Sequence, residues 1–196
     1  MDNQPPWILA HQRGCSLEEF KETLTPEQRT ELVGFLRACS RWADIKSLMN
    51  DPVYGEDATA QYNHQQECVA YEAQRQQQIA AMPEVFQRIT LAFRKIWWIA
   101  DVHYPYTSKH VPNSNMCFTG DGMGLAYFNV QSENDITLVK CDDEDFVAVL
   151  GAAGIVVGTN VDAGRLLKAV ENYVVLVNGK FERFTGQRAI GYLNPD

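Results

Sequence analysis

The sequence predicts an α+β fold in which N-terminal helices pack on a C-terminal, mainly antiparallel β-sheet. Two halves with different periodicity predict it. Helix-start signals and apolar residues spaced three or four apart fill the first hundred residues, whereas the later apolar residues fall in short β-branched and aromatic runs split by Gly, Asn and Asp. With 196 residues, no internal repeat and no long linker, the chain is expected to form a single domain over residues 1–196, mainly helical over 1–100 and mainly β over 101–196.

The first elements are marked by their caps. Ser16-Leu17-Glu18-Glu19 and Thr25-Pro26-Glu27-Gln28 both match the capping box, and Pro26 stands at a first helical position, where its missing N–H costs nothing. Leu32, Phe35, Leu36 and Cys39 stripe one face of a helix expected to run to about Trp42. The punctuation from Asn50 to Gly55 then separates it from a long polar helix at about 56–80. Seven glutamines between Gln61 and Gln78 leave that helix only a thin apolar line of Tyr62, Val69 and Ala73, so it lies along the surface or pairs with another helix. Pro83 opens a further helix over 83–98. Val85, Ile89, Ala92 and Ile96 share one of its faces and Phe86, Phe93 and Trp97 another, which places it at the centre of the fold.

In the second half the period predicts strands at 124–130, 135–141, 145–151 and 154–158, then a short helix at 162–171. The runs flanking Asn178-Gly179 predict a final hairpin, because Asn-Gly suits the type I′ turn that matches strand twist.

Composition narrows the function. A formal net charge of −8 and no basic cluster exclude a nucleic-acid phosphate binder, whose affinity rests on Lys and Arg displacing counterions. Five scattered cysteines form neither a disulfide framework nor a C-x-x-C metal knuckle. No run is long and apolar enough to span a bilayer and the N-terminus lacks a signal-peptide layout, so a cytoplasmic protein without membrane contact is expected. Between Asp101 and Asp145 eight carboxylates face two lysines, so if any surface of the chain is selective, this stretch predicts that it selects cations.

Asp101-Val102-His103 followed by Gly120-Asp121 resembles the start of the metal site in calcineurin-like metallophosphoesterases. That resemblance implies a binuclear phosphoester hydrolase in which Asp101 and His103 hold one cation and Asp121 bridges to a second. It covers about twenty-five residues, and all four histidines lie at or before His110, so the family's later imidazole ligands have no counterpart here. A lone metal site built from Asp101, His103, His110 and Asp121 is a second form of the same reading. If residues 83–98 are helical, Asp101 and His103 fall in the loop after that helix, with Asp101 accepting from backbone amides and His103 partly buried.

Other stretches offer less chemistry. Gly120 to Gly124 lacks the Lys and Ser or Thr of a phosphate-binding loop and reads as a glycine-rich hairpin or bulge. Asp142, Asp143, Glu144 and Asp145 form a solvated turn or a docking patch, and Tyr104-Pro105-Tyr106 can serve as an exposed recognition element.

Taken together, these features lead to the expectation of a non-enzymatic, cofactor-free protein-binding protein, with an immunity-type or antitoxin-type inhibitor as a fitting example. Its partner would present a basic surface to Tyr104, Tyr106, Asp121 and Asp142 to Asp145. The alternatives are the metal-dependent hydrolase and a scaffold subunit that assembles through the glutamine-rich helix.

Overall fold

The computed structural model describes residues 5–187, and the chain divides into two compact units, Met1–Gln76 and Gln77–Asp196. Helices make up the first unit, and the second carries a five-stranded antiparallel sheet with its own helices, an α+β architecture. No described helix is long and apolar enough to cross a membrane.

The first unit contains α1 (Pro6–Gln12), α2 (Leu17–Glu22), α3 (Pro26–Arg29), α4 (Leu32–Ala38), α5 (Trp42–Ser47) and most of α6 (Gly55–Ala80). Both capping boxes form. Ser16 Oγ accepts from Glu19 N while the Glu19 carboxylate accepts from Ser16 N, and Thr25 and Gln28 repeat the exchange. The two hydrogen bonds from Ser16, the backbone one first, hold the Glu19 carboxyl below its usual range. Phe20, Leu24, Leu32, Leu36, Ile45 and Leu48 bury together as the core of this unit. The single helix expected to reach Trp42 is two short ones, α3 and α4, and α5 begins at Trp42. Ser40 takes a left-handed φ of 55° and Arg41 N donates to Leu36 O at 2.8 Å, a C-terminal closure that turns the chain before α5.

In the second unit α7 (Glu84–Phe93) buries Phe86, Ile89 and Phe93, and is followed by β1 (Ala100–His103), β2 (Met116–Gly120), β3 (Met123–Ser132) and β4 (Asp135–Cys141). Next come α8 (Glu144–Ala152), the two-residue β5 (Asn160–Val161) and α9 (Ala163–Thr185). The strands pair in chain order, each antiparallel to the next. Period-two alternation sends Val102, Phe118, Phe128, Val130, Ile136 and Leu138 into the core, where the apolar faces of α7, α8 and α9 meet them. Aromatic rings fill the centre: Phe93 packs edge-on to Phe118 at 4.9 Å between centroids, and Phe146 stacks on Tyr173 at 4.4 Å.

Several elements differ from expectation. The glycine-rich stretch does form a hairpin, with Asp121 at φ 48° and Gly122 at φ 81° supplying its left-handed pair. Asp101 and His103, however, lie on strand β1 and not in a loop, because α7 ends at Phe93. Residues 145–151, expected as a strand, belong to α8. Asp143 Oδ1 accepts from Phe146 N at 2.7 Å to start that helix, and Phe146 and Leu150, four apart, bury its inner face. Of the strand expected at 154–158, only an isolated bridge from Val157 to Leu138 exists. The final hairpin does not form either, since α9 continues through Asn178 and Gly179 to Thr185.

Candidate functional site

The residues singled out for metal chemistry sit on the outer face of the sheet. Ala100 and Val102 bury inward, so Asp101 and His103 point the other way, opposite Thr119 and Cys117 respectively. Asp101 Oδ1 accepts from Val102 N at 2.8 Å, and Thr119 Oγ1 lies 3.2 Å from His103 Nε2. Asp121 projects from the hairpin tip and His110 is exposed in the loop between β1 and β2. Among the described residues no group of three His, Cys, Asp or Glu side chains converges on a cation position. The proposed ligand set is therefore not assembled.

Around His103 the rings of Tyr106 and Tyr127 form a small aromatic cover, with centroids 6.3 Å from His103 to Tyr106 and 6.4 Å from Tyr106 to Tyr127. Tyr127 also lies across Gly124, where a Cβ would fall 1.8 Å from its hydroxyl oxygen, so any larger residue here must displace the Tyr127 ring. Beneath the cover Cys117 is buried, and burial pushes its thiol up to about 11. It is a neutral thiol at physiological pH and not an activated nucleophile. Tyr104 packs on Phe86 at 5.0 Å, against the core, and so serves packing.

The acidic run divides by role. Asp142 pairs with Lys140 at 2.7 Å, Asp143 caps α8, Glu144 stands exposed in the first turn, and Asp145 pairs with Lys180 at 2.6 Å. These exposed pairs contribute little stability, about 0–1 kcal/mol each. Their effect is to break a uniform negative field into local pairs.

Asp143 and Asp145 do take part in a site of another kind. They edge a groove of about 460 Å³ whose walls are Trp97, Trp98, Phe181 and Phe184 and whose floor includes Tyr173 and Val177. Helix α9 supplies one side, because Tyr173, Val177, Phe181 and Phe184 recur at spacings of four, four and three and so share one face. The first two lie in the core, while Phe184 is 93% exposed, so the apolar stripe runs on past the end of the core. Trp97 stacks on Phe181 at 4.5 Å and meets Trp98 edge-on at 5.2 Å. The buried Tyr173 hydroxyl has the Asp143 carboxylate facing it without closing a hydrogen bond of ordinary geometry. Burial first and the Asp143 charge second raise its pKa, so the hydroxyl remains a proton donor.

Sequence reasoning found Asp143 and Asp145 but missed Trp97, Lys180, Phe181 and Phe184 as a set. The signal was the helical spacing from Tyr173 to Phe184, masked by the turn-like Asn178-Gly179. No known family model, characterised protein or solved structure matches this chain. The groove's own chemistry must carry the functional reading. It offers aromatic faces, one buried donor and carboxylates already engaged as a cap and an ion pair.

Proposed function

We propose that this chain is a non-enzymatic protein-binding protein whose groove beside α9 takes a segment of a partner protein bearing apolar side chains and at least one Lys or Arg. The observation that carries this reading is the aromatic wall of Trp97, Phe181 and Phe184 set against the Asp143 carboxylate, beside the Asp145–Lys180 pair. Aromatic faces attract an ammonium or guanidinium through their quadrupole, and a carboxylate at the rim orients it. Large aromatic side chains left at a surface are also the residue types that dominate binding energy in protein interfaces. The net charge of −8 favours a basic partner and speeds the encounter. Inhibition of a basic toxin or nuclease, in the manner of an immunity protein, is the setting in which that charge contrast is greatest.

The test uses two designed amphipathic peptides with the same leucine face, one flanked by lysines and one by glutamates, titrated against the full chain by tryptophan fluorescence. The lysine peptide is expected to shift the emission in a salt-sensitive way, the glutamate peptide to leave it unchanged. Equal responses to both, or a lysine-peptide response that survives Phe184→Ser, would overturn the reading.

A further inference from the structure

On the exposed face of α6, His64 Nε2 and Cys68 Sγ lie 3.7 Å apart, one helical turn from each other. A tetrahedral zinc ion with bonds of about 2.3 Å to sulfur and about 2.0–2.1 Å to nitrogen separates two such donors by about 3.5 Å. The pair thus already holds close to the spacing of a chelate. From this spacing we infer that His64 and Cys68 are half of a zinc-class metal site completed by the same pair from a second copy of the chain.

One copy falls short. A closed structural site needs four donors, and among the described residues no third His, Cys, Asp or Glu joins the pair. A two-fold axis through the metal supplies the missing two, giving two imidazoles and two thiolates, and makes the contact isologous. The two thiolate charges then balance a divalent cation. Thiolate with imidazole selects zinc-like ions over magnesium or calcium, which prefer oxygen. Tyr71, 62% exposed and on the same helix face three residues after Cys68, gives the pairing an apolar contact beside the metal. The inference is independent of the groove, since it uses none of its residues.

The test is titration of metal-free full chain with cobalt(II), which reports its ligands spectroscopically, followed by zinc competition and light scattering. One cobalt per two chains is expected, with a thiolate-to-metal charge-transfer band, the intense visible bands of tetrahedral cobalt, and a doubling of mass reversed by chelator. His64→Ala and Cys68→Ala should each weaken metal binding at least tenfold and abolish the metal-dependent dimer, with the helical circular dichroism unchanged because both side chains are exposed. Absence of the thiolate band, its persistence in Cys68→Ala, or one cobalt per monomer with unchanged mass would overturn the inference.

Discussion

Asn178 grips the chain on both sides of Lys95-Ile96-Trp97: its side-chain oxygen accepts from Trp97 N at 3.0 Å and its amide nitrogen donates to Lys95 O at 2.8 Å. A side chain in the middle of α9 thereby satisfies backbone groups left open after α7 and fixes the backbone from which Trp97 reaches Phe181. Two neutral hydrogen bonds contribute about 1–3 kcal/mol together. Asn178→Ala is expected to lower the melting temperature by several degrees and to alter tryptophan emission, as Trp97 loses its anchor. Unchanged stability and emission would show that the contact does not position the groove.

Gly179 gives a sharper test of the local conformation. It lies inside α9 without a left-handed φ, and a Cβ there would meet only Arg183 Nη1, at an ordinary 3.6 Å. Gly179→Ala should stabilise the protein by about 0.5–1 kcal/mol, since alanine loses less backbone entropy in a helix. In a type I′ turn the same change would destabilise. Thermal denaturation decides by the sign alone.

These two neighbours also show what the sequence could and could not convey. Asn178-Gly179 carries the local chemistry of a turn, yet tertiary contacts of Asn178 and the buried stripe of Tyr173, Val174 and Val177 draw it into a helix. The actual hairpin turn uses Asp121-Gly122, where local φ preference and strand pairing agree. Likewise Val147 and Val149 read as strand residues, but the Asp143 cap and the burial of Phe146 and Leu150 select α8. Capping boxes were legible because they close within four residues. The groove was not, because Trp97 and Phe181 are 84 positions apart in the sequence and meet only through the tertiary fold.

The role of charge in the groove is testable without removing the helix cap. Asparagine caps about as well as aspartate, so Asp143→Asn should leave stability nearly unchanged while deleting one carboxylate charge. Affinity for the lysine peptide is expected to fall several-fold, mostly through slower association, with a weaker salt dependence. Stopped-flow mixing at two ionic strengths measures both. An unchanged association rate would assign the groove's affinity to its aromatic walls alone.

Alkaline pH should expose the cost of two desolvated thiols, Cys117, which is buried, and Cys141, which is partly buried. Burial pushes Cys117 and Cys141 from an ordinary value of 9.0 up to about 11, so both stay protonated in the folded chain after they would ionise in the unfolded one. Each group's contribution is therefore fully present below about pH 9 and is lost as the pH rises towards about 11, because the unfolded state releases the proton first. Tyr173, also raised by burial, adds to the same trend in the same direction at higher pH. The urea midpoint is expected to fall across this window, and to fall less steeply for Cys117→Ala combined with Cys141→Ala, although that variant starts lower because one buried and one partly buried side chain are truncated. Parallel pH profiles for the two proteins would mean that the thiols titrate alike folded and unfolded, and that the outer-face cover over Cys117 admits water.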